Sequence, residues 1–261
     1  MDSKQPTTHR LYGLVGYPLG HSFSRRFFNE KFAAENIDAE YVNFEIADID
    51  ALPGIIAAHP ELCGFNVTIP HKENVMPLLT GIDPHAAEIG AVNVVKVKRK
   101  PDGTAELYGY NTDVTGFAAD ISRLMSPRLA GAQALVLGTG GASKAIVAGL
   151  KSLGLKPVTV SRTGRRGALT YSGLTADMIR RSPVIVNATP LGMHPNTDSC
   201  PPIDYTAVTP EHLCYDAVYN PPMTLFLKKC AAQGATVAGG IGMLHNQAID
   251  AWHIWNSPDK E

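Results

Sequence analysis

A short apolar strand that runs straight into a glycine loop and then a helix constrains this chain more than any other feature. Ala134-Leu135-Val136-Leu137 is an unbroken apolar run of strand length. Gly138-Thr139-Gly140-Gly141-Ala142-Ser143 follows at once, and the apolar pattern that continues to Leu153 predicts a helix. A second strand is expected over 157–160, ending in Ser161-Arg162-Thr163. Strand, glycine turn, helix and strand form the unit that sets a pyrophosphate on a helix N-terminus. Glycine lets the backbone come close to phosphate and leaves N–H groups to bond it. In the NAD form of this unit an acidic residue roughly 20 positions on bonds the ribose 2′-hydroxyl. Here that position is Arg162, with Arg165 and Arg166 close behind. Guanidinium groups clamp a 2′-phosphate by paired hydrogen bonds, so the expected cofactor is NADP and the expected chemistry is redox. Each half of the signal alone is weak, since Ser143 stands where a third glycine is usual and loop arginines are commonly just solvated.

With 261 residues, one large or two modest domains are expected. A net charge of −1 without a basic stripe argues against nucleic acid or an anionic membrane surface as partner. The opening residues lack the apolar centre of a signal peptide, and no apolar run reaches the ~18–20 residues of a membrane span. A cytoplasmic protein is the expectation. The four cysteines and nine histidines show no metal-ligand spacing, so no metal site and no disulfide framework are expected.

Strands and helices alternate along two stretches. In the first, strands are expected at 11–15, 40–45 and 65–68, and helices at 24–34 and 50–58. A hairpin is expected from 92–98 and 107–110 around Pro101-Asp102-Gly103, then a helix over 113–125. In the second, strands are expected at 134–137, 157–160, 184–188, 213–217 and 236–238. Two such series predict two α/β layers with mostly parallel sheets. Leu244, Ala248, Trp252 and Trp255 fall at helical spacing in the tail, a stripe that must be buried somewhere.

Polar residues cluster where these strands end, the position at which open α/β sheets hold ligands. They include Ser22 and Ser24, Asn66, Thr68, His71 and Lys72, Asn93, and Asn111-Thr112-Asp113. Each has a structural reading too: Ser24 or Asp113 as a helix cap, Lys72 as a surface lysine. Together they suit a small polyhydroxylated carboxylate, which hydroxyls and amides discriminate well. A lysine and an aspartate carry proton transfer at a reacting oxygen.

These motifs, in this order, resemble the shikimate dehydrogenase family over almost the whole chain, from Tyr12 to about Trp255. They are Gly16-Tyr17-Pro18…His21-Ser22-Phe23-Ser24…Asn29, Asn66-Val67-Thr68-Ile69-Pro70-His71-Lys72, Gly90-Ala91-Val92-Asn93 and Gly109-Tyr110-Asn111-Thr112-Asp113…Gly116. The glycine loop and Ser161-Arg162-Thr163 follow, then Asn187-Ala188-Thr189-Pro190-Leu191-Gly192-Met193, Asp216…Tyr219-Asn220-Pro221…Thr224 and Gly240-Ile241-Gly242-Met243-Leu244…Gln247.

The resemblance implies a two-domain α/β protein. Its N-terminal substrate domain (1–112 and 241–261) is joined to a Rossmann-like NADP domain (113–240), the last helix returning to the first domain. The implied reaction is reversible hydride transfer between NADPH and 3-dehydroshikimate, giving shikimate, in aromatic amino-acid biosynthesis. By match, Lys72 and Asp113 are the expected catalytic pair. Ser22, Ser24, Thr68, Asn93, Tyr219 and Gln247 are the expected substrate residues. Gly138, Thr139, Gly140, Gly141, Ala142, Ser161, Arg162, Thr163, Arg165, Arg166, Thr189, Ala217 and Gly240 are expected at the cofactor. A monomer or homodimer with small-molecule partners only is expected. Three departures stand out: Arg25-Arg26-Phe27-Phe28 where the family pattern has Pro-x-x-His before Asn29, Ser161 for Asn, and Val94 for Thr. A quinate- or NAD-using relative would resemble a Ser-x-Thr pattern at 22–24 and lack the arginines; a non-catalytic sensor could dispense with Lys72 or Asp113.

Overall fold

The computed structural model describes residues 9–20 and 22–258; His21, and the side chain of Arg166, lie outside the described residues. The chain divides into two units, one of residues up to Thr112 together with those from Ala251 on, the other Asp113–Asp250.

The first unit is built on a six-stranded sheet. Its strands are β1 (Arg10–Gly16), β2 (Ala39–Glu45), β3 (Leu62–Val67), β4 (Gly81–Ile82), β5 (Val94–Arg99) and β6 (Ala105–Tyr110), in spatial order β2-β1-β3-β5-β6-β4. β1 pairs in parallel with β2 and β3, β4 in parallel with β6, and β5 runs antiparallel to β3 and β6. The carboxyl ends of β1, β3 and β6 and the amino end of β5 therefore share one edge. The Pro101-Asp102-Gly103 turn closes the β5–β6 hairpin as expected, with Gly103 at φ +85° and Asp102 Oδ1 accepting from Thr104 N at 2.8 Å. The strand starts at Val94 rather than 92, which leaves Asn93 just outside it.

Helices α1 (Phe23–Ala34), α2 (Leu52–Ala58) and α3 (Pro84–Ile89) complete this unit. The short α3 and β4 were not legible as elements in the sequence. One core cluster gathers Val15, Leu52, Ile56, Phe65 and Val95. Elsewhere in the unit Tyr12, Phe28, Phe32 and Tyr41 pack with Trp252 and Trp255.

Both tryptophans come from α8 (Ile241–Asn256). Trp255 donates Nε1–H to Val95 O at 3.0 Å, and a Cβ on Gly64 would lie 2.4 Å from its indole, so glycine makes room for the ring. The buried stripe of α8 is Met243, Gln247, Ala248, Ala251 and Trp255, while Leu244 and Trp252 are only half-buried. The helix thus serves both units, and the division falls within it, between Asp250 and Ala251.

The second unit carries the second series: β7 (Gln133–Leu137), β8 (Lys156–Ser161), β9 (Leu169–Thr170), β10 (Val184–Asn187), β11 (Leu213–Asp216) and β12 (Thr236–Gly239). Every pairing is parallel, in the order β12-β11-β10-β7-β8-β9. Strand residues alternate between two core clusters, as the period of two requires. Ala134, Val136, Val184, Val186 and Tyr215 meet Phe117 and Ile121 of α4 (Asp113–Ser122) and Ile146 and Leu150 of α5 (Gly141–Ser152). Leu135, Leu137, Ile185 and Cys214 meet Ile179 of α6 (Ala176–Arg180) and Phe226 and Leu227 of α7 (Leu225–Ala232). Burying side chains of this kind contributes about 1.5–3 kcal/mol each. α4 ends at Ser122, sooner than the expected 125, and Ser126 caps the short turn that begins at Pro127.

Candidate active site

In the first unit the polar residues of the motifs meet along the shared sheet edge. The segment after β1 lies against the end of β3: Thr68 N donates to Val15 O at 2.9 Å and Tyr17 N to Ile69 O at 2.9 Å. A Cβ on Gly16 would sit 2.4 Å from Thr68 Cγ2, so this approach needs glycine. Ser22 is the N-cap of α1, accepting from Arg25 N at 3.2 Å. That corrects the alternative in which Ser24 caps. Ser24 instead lies within the first turn of the helix and is buried. Arg25 and Arg26 are exposed, so the departure at 25–28 leaves both serines in place.

Beyond Thr68 the chain turns through His71 and Lys72. His71 is 1% exposed and its Nε2 bonds to Ile46 O at 2.8 Å, so it is an anchor of the turn. Lys72 is half-buried, and its carbonyl accepts from Val92 N at 2.8 Å, which ties the lysine's backbone beside Asn93. The Asn93 amide is held in one orientation, because Thr112 N donates to its Oδ1 at 2.7 Å and its Nδ2 donates to Thr112 Oγ1 at 3.1 Å. Asn111 Nδ2 donates to Ala91 O at 2.8 Å.

One residue of this network, Tyr41, carried no site signal in the sequence reading, whereas Asn66 stood there among the polar residues at a strand end. Tyr41 on β2 is fully buried and donates its hydroxyl to Asn66 Oδ1 at 2.7 Å. Asn66 Nδ2 in turn donates to Asn93 O at 3.3 Å. Nothing in the β2 sequence singles Tyr41 out, and only the sheet order brings it within reach of the third strand's asparagine.

The second unit holds the other expected residues. Asp113 opens α4 as a buried acid in its first turn, where a carboxylate suits the helix dipole. One turn on, Gly116 packs so closely on α8 that a Cβ would lie 2.8 Å from Met243 O and 2.9 Å from Gln247 N. Gln247 Nε2 donates to Leu244 O at 2.9 Å, back onto its own helix. Tyr219 is half-buried, and burial pushes its hydroxyl above the ordinary tyrosine range.

The glycine loop sits where the strand order reverses, between β7 and β10, the place where such sheets hold ligands. Gly138 adopts φ +120°, and a Cβ there would meet Ala188 O and Thr189 Cγ2 at 3.1 Å. Ser143, at the third-glycine position, is buried and donates its hydroxyl to Gly138 O at 2.7 Å. It closes the loop that glycine would only have permitted. Gly140 caps α5 without a side-chain hydrogen bond, and nothing lies within 4 Å of where its Cβ would be. A twelve-residue helix with this bare, open N-terminus fits a pyrophosphate.

One strand over, Ser161 Oγ accepts from Gly164 N at 3.0 Å and shapes the turn after β8. That hydroxyl still has a proton to give, as the asparagine it replaces would. Arg162, Thr163 and Arg165 are exposed around the turn, so the cations fit a 2′-phosphate there. Thr189 is held by Asn187, whose Oδ1 accepts from both its N (3.0 Å) and its Oγ1 (2.6 Å). Gly240 lies against the Ala217 backbone, where a Cβ would stand 2.4 Å from the carbonyl oxygen. The structure thus brings those two expected residues together.

Among the described residues no group of three or more His, Cys, Asp or Glu is placed to hold a metal ion, and no helix is long and apolar enough to cross a membrane.

A family model described as the shikimate dehydrogenase substrate binding domain matches residues 14–95. The chain is 38% identical to the shikimate dehydrogenase (NADP(+)) of Salinibacter ruber, covering 95% of this chain and 92% of that one. Among solved structures, the shikimate dehydrogenase of Aquifex aeolicus superposes with a TM-score of 0.84 at 32% identity, covering 98% of this chain and 96% of that one. The shikimate 5-dehydrogenase of Thermus thermophilus, solved with NADP(H) and shikimate, gives 0.81 at 29% identity, covering 97% and 95%. From its first strand to its last helix, this chain belongs to the shikimate dehydrogenase family.

Proposed function

We propose that this protein catalyses the reversible NADPH-dependent reduction of 3-dehydroshikimate to shikimate, in aromatic amino-acid biosynthesis. It is an oxidoreductase and its cofactor is NADP. The observation that carries the reading is the 38% identity to a shikimate dehydrogenase (NADP(+)) over 95% of this chain. The unit closed by the end of α8 (1–112 and 241–261 in the sequence reading) is proposed as the substrate domain, and 113–240 as the cofactor domain.

Ser22 and Ser24, with Tyr219, are proposed to hold the substrate carboxylate. Thr68, Asn93 and Gln247 are proposed to bond its hydroxyls or carboxylate. The amide of Asn93, locked by Thr112, presents its groups without a reorientation cost on binding. Bound NADPH supplies the hydride. Lys72 gives a proton to the carbonyl oxygen as negative charge develops there, and takes it back in the reverse direction. Asp113 is proposed as the carboxylate member of the catalytic pair. The bare start of α5, from Gly138, Thr139 and Gly140 through Gly141 and Ala142, would hold the pyrophosphate. Ser161, Arg162 and Thr163 would hold the 2′-phosphate side, with Arg165 and Arg166 assisting. Ala217 and Gly240 would line the nicotinamide side by backbone contacts, with Thr189 as a further cofactor residue. The cysteines are all free, which fits a reducing compartment such as the cytoplasm.

Initial rates of NADPH oxidation with 3-dehydroshikimate, run beside NADH, and beside shikimate and quinate in reverse, test the reading. NADPH-dependent turnover with shikimate preferred over quinate is the expected result. Turnover only with NADH or quinate would reassign substrate and cofactor within the fold; tight NADP binding without turnover would favour a sensor.

A further inference from the structure

A buried chain of polar groups crosses the first unit's sheet edge, and it begins at a residue to which the proposed reaction assigns no task. Asn29 on α1, the helix whose start carries Ser22 and Ser24, grips the Tyr41 backbone twice: Nδ2 donates to Tyr41 O at 2.9 Å, and Tyr41 N donates to Oδ1 at 2.9 Å. Phe28, from the same helix, stacks on the Tyr41 ring with centroids 4.8 Å apart and planes 13° from parallel. The Tyr41 hydroxyl donates to Asn66 Oδ1 at 2.7 Å, Asn66 Nδ2 to Asn93 O at 3.3 Å, and Asn93 is locked to Thr112. Tyr41, Asn66, Asn93 and Thr112 are all 4% exposed or less.

We propose that Tyr41 is a positioning residue for the substrate, setting Asn93 through Asn66 and coupling it to the serine-bearing helix α1. The inference rests on the reading of Asn93 as a substrate ligand given above. The physical reason lies in the donor count. An asparagine amide can sit either way round, and a buried one is fixed only by its partners. Asn93 O can only accept, so the Asn66 group that faces it is the NH2, and the Tyr41 hydroxyl donates to the amide oxygen on the other side. Asn66 Oδ1 is therefore the accepting end, and its NH2 is directed at Asn93 O. Asn93 O also receives Val67 N at 2.9 Å, so β3 and Asn66 together set the peptide from which the Asn93 side chain springs.

Tyr41→Phe removes one oxygen, keeps the ring, and leaves a buried acceptor on Asn66 without its donor. The KM for 3-dehydroshikimate is expected to rise roughly tenfold or more, the scale of an orphaned buried polar group, while the KM for NADPH stays within twofold. Asn66→Ala cuts the next link and leaves the aromatic stack alone, so it should give the same split and decides the matter if Tyr41→Phe fails to fold. In the double variant the two effects should not add, as expected of neighbours in one network. A core control on α2, Ile56→Val, should lower the Tm while leaving both KM values in place. If the wild type turns over 3-dehydroshikimate and both Tyr41→Phe and Asn66→Ala keep its KM within twofold, the positioning role is overturned and the parent reading stands. A wild type without turnover overturns both.

Discussion

Thr224 uses its hydroxyl twice: it donates to Asp216 Oδ2 at 2.6 Å and accepts from Leu227 N at 3.3 Å as the N-cap of α7. Asp216 also accepts from Val218 N at 2.9 Å and Asn187 Nδ2 at 3.0 Å. The carboxylate thus knits together the loops after β10 and β11, the loops that carry Thr189 and Ala217. Burial raises its pKa from the ordinary 3.8 to about 6, and the bonds from Thr224, Val218 and Asn187 only partly offset that.

A pH dependence of stability follows from this carboxylate. Between about 4 and about 6 the folded chain holds a proton on Asp216 that the unfolded chain has released. Its contribution therefore falls as pH rises through that window and is level above it, a change on the order of 3 kcal/mol. Asp216→Asn should remove this component. Urea midpoints measured at pH 4.5 and 7 in both proteins check it, and an identical pH difference in the two would rule Asp216 out as its source.

Gly138→Ala places a side chain at φ +120°, with its Cβ 3.1 Å from Ala188 O. The expected cost is about 1–3 kcal/mol of stability. The same loop would face the pyrophosphate, so the dissociation constant for NADP, read by calorimetry, should rise as the Tm falls. Unchanged NADP affinity would separate this loop from the cofactor.

Lys72→Ala should lower kcat by roughly 10²–10⁴-fold, the scale of a positioned acid or base, with a smaller effect on either KM. Steady-state rates in the reductive direction measure it. A kcat within a few-fold of wild type would exclude the proton-transfer role.

For Arg162→Ala, the KM for NADP should rise roughly ten- to hundred-fold, as charge-assisted hydrogen bonds to a phosphate are lost. The KM for NAD, which has no 2′-phosphate, should move little. Parallel titrations of the two cofactors give the comparison; equal losses would remove the clamp.

Much of this protein was decided by local sequence. The 134–137 run followed by Gly138-Thr139-Gly140 names its own strand, loop and helix, because apolar period and glycine freedom act over a few residues. Both series of alternating elements, the Pro101-Asp102-Gly103 hairpin and the C-terminal helix were legible for the same reason, as was the order of the family motifs. Boundaries slipped by a residue or a few where caps and pairing partners decide them: Phe23, capped by Ser22, rather than Ser24 starts α1, and Val94 rather than 92 starts β5. Only the tertiary structure decided what lies far apart in the chain. Sheet order put Tyr41 against Asn66 and Asn66 against Asn93. Packing turned Ser143, an apparent flaw in the glycine pattern, into the hydroxyl that closes the loop. It also chose Gly64 to seat Trp255, which settled where that half of α8 is buried. Periodicity shows which face of an element is apolar, but not what will cover it; hydrogen-bond partners tens of residues apart are chosen by the fold.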